Sequence, residues 1–113
     1  MTLHDDEARL HHMLEHSREA VEMLRGRTRE ELESDRQLNL SLVRLMEIVG
    51  EAAARTSTST QEKYEKIPWP EIISFRNRLI HGYDDVDFDI LWNIVRIDLP
   101  LLIEELKRIL GID

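Results

Sequence analysis

The hydrophobic positions along this chain return at helical spacing, and no stretch alternates strictly between polar and apolar residues as a strand would. Between about His4 and Arg25, one helical face is marked by residues at every third or fourth position. These residues are Leu10, Leu14, Ser17, Val21 and Leu24. The spacing predicts a first helix, with Gly26 as its C-cap.

Two capping signatures follow the first helix. Thr28 to Glu31 has the form of a capping box and predicts one short turn of helix. The stretch from Ser34 to Gln37 repeats this form and predicts the start of a second long helix, which runs to about Arg55. Apolar residues cover most of its circumference, so we expect this helix to be buried, either centrally or against another subunit.

The second half of the chain is interrupted more often. Residues 56–70, TSTSTQEKYEKIPWP, are rich in serine and threonine and end in two prolines, which predicts a loop. A third helix is predicted from near Pro70 to about His81, with Gly82 as its stop signal.

A turn is predicted at residues 84–87 and precedes the last helix. This helix should begin near Asp87 or Asp89 and continue to Leu110, with Pro100 inside it. Asp98 then either caps a new segment or lies in a kink that the proline causes. Because the connections are short, we expect one all-α domain over residues 1–113, an antiparallel four-helix bundle with a short extra helix and a kinked C-terminal helix.

Composition narrows the possible functions. The 113 residues are 34% charged and 42% apolar, as in ordinary globular chains. No apolar run approaches the roughly 20 residues that a membrane-spanning helix needs, the polar start MTLHDDEARL suggests no secretory signal, and cysteine is absent. A cytoplasmic location is therefore expected. The net charge of −8 argues against a protein that coats nucleic acid, so any activity on RNA would need a locally basic cleft.

Two polar clusters outside the third helix are also candidates for chemistry. His11, His12 and His16 have partly metal-like spacing, but a third ligand or a glutamate base is not evident, and we interpret them as a solvated helical face. Arg44, Glu47 and Glu51 form a narrow polar strip on the second helix. The strip could be a carboxylate pair for acid–base chemistry, a structural ion-pair ladder or a lining that faces a partner.

The segment RNRLIHGYDD, residues 76–85, has the strongest chemical signal. Arg76 and His81 are five positions apart, which separates them by about 140° on an ideal helix. They can meet if the helix unwinds near Gly82 or if a second copy of the chain supplies half of the site. Asn77 is four positions from His81 and is expected to share its face and orient the imidazole, and Tyr83 should stand exposed.

These side chains suit cleavage of an RNA phosphodiester without a metal. A neutral histidine can accept the proton of a ribose 2′-hydroxyl, its charged form can protonate a leaving oxygen, and arginine can bind the phosphate. The plainer alternative is structural. In that case Arg76 pairs with a carboxylate, His81 caps a helix and Tyr83 packs.

The motif Arg-Asn-x-x-x-His-x-Tyr at residues 76–83 resembles the signature of HEPN domains of the HepT-like subfamily. RLHHMLEHSREAVEML resembles the first helix of that family, and DRQLNLSLVRLMEIVGEAA resembles its second. The motif itself lies in IPWPEIISFRNRLIHGYDDVDFDILWNIVRIDLP, where the PWPEI lead-in and HGY add specificity. The likeness covers nearly the whole chain, with no departure at the motif positions.

The resemblance implies the toxin of a type VII-like toxin–antitoxin pair, a metal-independent endoribonuclease that works as a homodimer. Arg76 and His81 would be catalytic, and Asn77 and Arg78 would support them. The implied partner is a minimal nucleotidyltransferase antitoxin (MntA-like), which adds AMP from ATP to Tyr83 and with which dimers could assemble further. No cofactor, metal, membrane or DNA partner is expected.

Dimerisation would gather arginines and histidines of two chains into one basic groove on an acidic body. The apolar second helix could supply the buried contact, together with Trp69 and Trp92, which we expect to be exposed. One alternative is a non-catalytic HEPN module that docks a nucleotidyltransferase or a nucleotide and holds phosphate through Arg76 and His81. A purely structural helical dimer is a third possibility.

Overall fold

The computed structural model describes residues 3–113, which form an all-α bundle as predicted. Helix α1 spans Leu3–Leu24 and packs against α3, Arg36–Arg55, and α8, Leu99–Leu110. Two short helices, α5 at Trp69–Ile73 and α6 at Phe75–Leu79, pack on the other side of α3. No helix in the described residues is both long and apolar enough to cross a membrane.

The core lies where these five helices meet. Each helix contributes a fully buried large side chain to it. Examples are Met13, Leu42, Ile72, Phe75 and Leu106. Trp69, which the sequence suggested for a dimer contact, is also buried, and its indole Nε1 donates to the Tyr64 carbonyl at 3.1 Å. Trp92 is half-buried beneath the guanidinium of Arg96.

The first predicted capping box is confirmed, and the second is wrong. Thr28 caps α2, Arg29–Ser34, and the two hydrogen bonds between Thr28 and Glu31 are both present. Helix α3, however, is capped by Asp35, whose carboxylate accepts from the amide of Leu38 at 3.0 Å. Ser34 cannot take this role because it belongs to the last turn of α2.

The predicted loop at residues 56–70 contains a helix, α4, at Thr58–Lys63. Its N-cap Ser57 and its residue Thr60 both donate hydroxyl hydrogen bonds to the carboxylate of Asp6, which is buried between α1 and α4. Serine and threonine are poor helix formers by themselves, so the local composition indicated a loop. The hydrogen bonds to a distant residue fix the helix instead.

The C-terminal helix begins where the sequence predicted and contains an irregular turn. Asp87 caps α7, Phe88–Asn93, by accepting from the amide of Ile90 at 3.0 Å. A π-helical segment at Ile94–Asp98 joins α7 to α8. This wider turn precedes Pro100, which cannot donate a backbone hydrogen bond. Asp98 makes no side-chain cap, so of the two alternatives its capping role is wrong.

Candidate active site

The motif residues begin on α6, a single turn held by two apolar anchors. Phe75 and Leu79 are both buried, and their spacing of four positions turns one face of the helix to the core. Arg76, Asn77 and Arg78 lie between these anchors, and Arg76 and Asn77 are exposed. A break at Ser74 separates α6 from α5, so the predicted continuous third helix is wrong.

The motif helix also ends earlier than predicted. Ile80 is extended and forms an isolated antiparallel bridge with Val86. The amide of His81 donates to the Asp85 carbonyl, and the amide of Asp87 donates to the Leu79 carbonyl, both at 2.8 Å. We call residues 81–85, enclosed by these bonds, the bridge loop. Because His81 lies in this loop, the expected angle of about 140° from Arg76 does not apply.

Arg76 is anchored to the second long helix. Its Nε donates to Oε2 of Glu47 at 3.0 Å, and the Arg76 side chain remains 62% exposed. Neither terminal nitrogen of this guanidinium has a partner among the described residues. The two-pronged edge that binds phosphate is therefore turned to solvent.

The polar strip on α3 resolves into separate contacts. Glu47 binds Arg76, whereas Glu51 accepts from Nε of Arg55 at 2.8 Å. Arg44 has no ion pair in the described part of the chain. The strip is therefore neither a ladder among its own members nor an isolated carboxylate pair. Sequence reasoning singled out Glu47 but missed its partner, although a polar residue on a largely apolar helix was a usable signal.

His81 faces a second carboxylate, which the sequence analysis did not connect to it. Its Nε2 lies 3.8 Å from Oδ2 of Asp87, within range of an ion pair but too far for a hydrogen bond. The His81 side chain is 53% exposed. No hydrogen bond joins it to Asn77 within residues 3–113. The expectation that these two side chains share a helical face is wrong, since His81 lies beyond the helix.

The remaining motif residues point in different directions. Tyr83 is fully exposed in the bridge loop, after Gly82, whose positive φ of 113° suits glycine. The neighbouring Asp84 pairs with Arg36 at 3.2 Å, which ties the loop to α3. Arg78 lies over the ring of Phe75 and lines a different cleft from Arg76. The structure therefore does not bring Arg78 to the Arg76 side of the chain.

The histidines of α1 stand apart from the motif. His11 lies 3.9 Å from Glu7, and the rings of His12 and His16 meet edge to face. Across residues 5–113, no three or more histidine or acidic side chains are grouped so that they could hold a metal ion. The interpretation of these residues as a helical surface face fits their partial exposure.

A family model described as Ribonuclease HepT-like matches residues 13–109, which include all of the motif. The chain belongs to the HepT-like family. The resemblance that the motif predicted is thereby confirmed. In this HepT-like chain, the family motif coincides with the exposed face of α6 and the bridge loop.

Relatives of this HepT-like chain are similar over most of their length. "Putative RNase MJ1380" of Methanocaldococcus jannaschii is 31% identical over 107 residues, which cover 95% of this chain and 98% of the relative. "Putative RNase TTE0752" of Caldanaerobacter subterraneus subsp. tengcongensis is 35% identical, covering 89% and 90%. "Probable ribonuclease HepT" of Thermococcus cleftensis is 34% identical, covering 79% and 84%. No solved structure matches the chain.

Proposed function

We propose that this chain is a metal-independent endoribonuclease and the toxin of a type VII-like toxin–antitoxin pair. Membership of the HepT-like family and relatives named as ribonucleases support the activity on RNA. The main support in the structure is the way the Arg76 guanidinium is held. Glu47 holds it through Nε alone, so its terminal nitrogens face solvent on the same short segment that presents His81.

In the proposed reaction, the ribose 2′-oxygen attacks the adjacent phosphorus and the bond to the 5′-oxygen breaks. Neutral His81 accepts the 2′-hydroxyl proton, and a protonated His81 gives a proton to the leaving 5′-oxygen. The terminal nitrogens of Arg76 bind the phosphate oxygens as their charge grows. The products are a 2′,3′-cyclic phosphate and a 5′-hydroxyl end, so atoms and charge balance without a co-reactant.

Two copies of the chain form the working centre in this proposal. Within one chain, Arg76 is hydrogen-bonded to Glu47 whereas His81 faces Asp87, and no hydrogen bond connects Arg76 with His81. A homodimer would supply Arg76 from one copy and His81 from the other. Exposed apolar side chains, including Ile73 one turn before Arg76, offer contact area for such pairing. Two copies of Arg76 would also give a basic groove on a chain of net charge −8.

The proposed control is adenylylation of Tyr83 by a minimal nucleotidyltransferase. The phenolic oxygen attacks the α-phosphorus of ATP, pyrophosphate leaves, and the phenol proton passes to the transferase or to solvent. Full exposure of Tyr83 supports access by a second enzyme. The added phosphodiester would place a negative charge two residues from His81, where it repels RNA and blocks the site.

A non-catalytic binding module is the second candidate function. The acidic net charge and the ion pair between Arg76 and Glu47 favour it, because both weaken the field that would attract RNA. In that case the same residues would hold a nucleotide or dock a nucleotidyltransferase without breaking a bond.

The test is cleavage of labelled single-stranded RNA by the purified chain in the presence of EDTA. The chain offers a matched control, because His11 is also about half-exposed and lies 3.9 Å from a carboxylate, as His81 lies 3.8 Å from one. We expect His81→Ala to abolish cleavage and His11→Ala to retain it. Absence of cleavage by the unmodified chain would favour the binding module, and equal loss in both variants would refute the role of His81.

A further inference from the structure

In a cleft between α1 and α3, arginine and histidine side chains outnumber carboxylates. This cleft encloses about 420 Å³ and we call it the α1–α3 cleft. Its charged and ionisable lining consists of three arginines, two histidines and two carboxylates. The basic members are Arg9, Arg44, Arg55, His12 and His16. On a chain with 23 acidic and 15 basic residues, this is a local reversal of charge.

The side chains of this cleft retain unused donors. Arg44 is exposed and makes no ion pair with any described residue. Arg55 gives its Nε to Glu51, and its terminal nitrogens remain available for an anion. Nδ1 of His16 lies 2.7 Å from the carbonyl oxygen of His12, and because a carbonyl can only accept, this nitrogen carries the proton. In the neutral ring Nε2 of His16 is then an acceptor, so His16 adds no donor to those of the arginines.

The α1–α3 cleft adjoins the cleft that contains Arg76. A smaller cleft of about 380 Å³ contains Arg76 and Asn77, and Arg44 and Glu51 line both clefts. Arg44 therefore stands between the motif and the α1 side of the cleft. From Arg44 to Arg55, α3 rises by roughly 16 Å. That length is several times the roughly 3.4 Å axial spacing of phosphates in a helical strand, so the cleft can accommodate more than one nucleotide.

We propose that the α1–α3 cleft is a binding track for the phosphate backbone of single-stranded RNA next to the cleaved bond. This inference rests on the proposed ribonuclease function and adds to it the path of the substrate. Arg44 receives the strand as it leaves Arg76, and Arg9 and Arg55 bind phosphates further along. Because these contacts go to phosphates, the track orients RNA and carries no base sequence preference.

The experiment measures binding of a fluorescent 12-nucleotide RNA whose riboses are all 2′-O-methylated. This probe lacks the attacking hydroxyl, so binding is measured whether or not the chain cleaves RNA. Arg44→Gln is compared with Arg18→Gln, since both arginines are exposed and neither has an ion pair among the described residues. Arg18 lines a different cleft with Glu15, Glu19 and Glu22, where RNA should not bind.

We expect Arg44→Gln to weaken binding roughly tenfold at low salt, as the loss of one charge-assisted phosphate contact implies. The slope of log affinity against log salt concentration should fall by about 0.7 for that lost contact. Arg18→Gln should match the unmodified chain in both measurements. If Arg44→Gln does not fold, Arg9→Gln repeats the test from the α1 wall of the cleft.

Equal binding by the Arg44 and Arg18 variants would overturn the track, as would failure of the unmodified chain to bind the probe. Full competition by AMP at concentrations similar to those of the RNA would also overturn it, because the cleft would then be a mononucleotide pocket. None of these results bears on cleavage in EDTA with His81→Ala. A failed track is therefore distinguishable from a failed ribonuclease proposal.

Discussion

Arg76 on α6 and Glu47 on α3 are joined by a hydrogen-bonded ion pair in which Nε lies 3.0 Å from Oε2. The pair fixes the guanidinium through Nε and leaves its two terminal nitrogens facing solvent. In the proposed reaction Glu47 is a positioning residue, since its contact with the substrate is made through Arg76.

Glu47→Gln should therefore impair catalysis more than folding. We expect kcat to fall roughly 10–100-fold because Arg76 loses its fixed orientation, while the melting temperature changes little. Glu22→Gln is the control, since Glu22 also pairs with an arginine Nε, at 2.8 Å, on an exposed part of α1. Steady-state cleavage assays and thermal unfolding decide the matter. A loss of stability that accounts for the whole loss of activity would contradict the positioning role.

Mixing two inactive variants tests the composite centre. If each site takes Arg76 from one copy and His81 from the other, co-expression of Arg76→Ala and His81→Ala chains should restore one site in each mixed dimer. With random pairing, about half of the dimers are mixed, and each mixed dimer has one intact site out of two. About a quarter of the unmodified activity should therefore return. Co-expression of the Arg76→Ala chain with the doubly substituted chain is the control and should stay inactive. A monomeric mass in sedimentation would refute the dimer directly.

Tyr83 should be the residue that accepts AMP. After incubation with a minimal nucleotidyltransferase, ATP and Mg²⁺, the Tyr83 peptide should gain the mass of one adenylyl group, and RNA cleavage should stop. Tyr83→Phe removes the acceptor oxygen and should remain unmodified. The other tyrosine, Tyr64, is partly buried against the core, so Tyr64→Phe serves as the control and should still be modified. An adduct on any other residue would contradict the assignment.

Gly50 lies where α3 packs closely against the backbone of α5. A Cβ added there would stand 3.0 Å from the backbone oxygen of Ile72, which cannot move without shifting α5. Replacing a mid-helix glycine by alanine normally stabilises a helix by about 1 kcal/mol. Here we expect Gly50→Ala to destabilise the chain by about 1–3 kcal/mol in urea unfolding, because the overpacked contact outweighs that gain. Stabilisation instead would show that the two helices have room to separate.

Asp6 should make stability depend on acid pH. Burial alone would raise the pKa of this carboxyl, but hydrogen bonds from Ser57 and Thr60, together with the nearby charge of Arg9, bring its pKa below the ordinary value. A lowered folded-state pKa contributes stability above the unfolded value of about 4, and this contribution is lost as the pH falls through the folded value.

The measurement compares the unfolding free energy of the unmodified chain and Asp6→Asn at pH 7 and pH 3. We expect the unfolding free energy of Asp6→Asn to be lower than that of the unmodified chain by about 1–3 kcal/mol at pH 7, and by less at pH 3. Asp113→Asn, an exposed change, should produce little gap at either pH. A gap that is independent of pH would mean that the charge of Asp6 contributes nothing.

The long helices could be predicted from sequence because each carries a sustained apolar periodicity. The short helix α2 could also be predicted, because Thr28 and Glu31 form a local capping box that the structure confirms. Helix α4 and the bridge loop could not be predicted in this way. The first depends on Asp6, 51 residues away from Ser57, and the second depends on a backbone bridge between Ile80 and Val86.

The same limit applies to the site. The motif spacing and the family resemblance identified Arg76, His81 and Tyr83, because those signals are local in sequence. The carboxylate partner of Arg76 comes from elsewhere in the chain: Glu47 is 29 residues away and belongs to another helix. Continuing the ideal helix through Ile80 led to the wrong surroundings for His81, since a β-branched residue near a glycine favoured extended backbone.

The bridge between Ile80 and Val86 fixes the shape of the loop through backbone atoms alone, independently of the loop's side chains. Its flanking hydrogen bonds, from His81 to Asp85 and from Asp87 to Leu79, run between main-chain atoms, so they would survive exchange of the side chains they enclose. The backbone bonds restrict only Gly82, whose positive φ limits replacement, so the other demands on this segment come from the proposed roles of His81 and Tyr83. With those two residues kept, Asp84 and Asp85 are positions where altered specificity could be engineered while the supporting helices stay untouched.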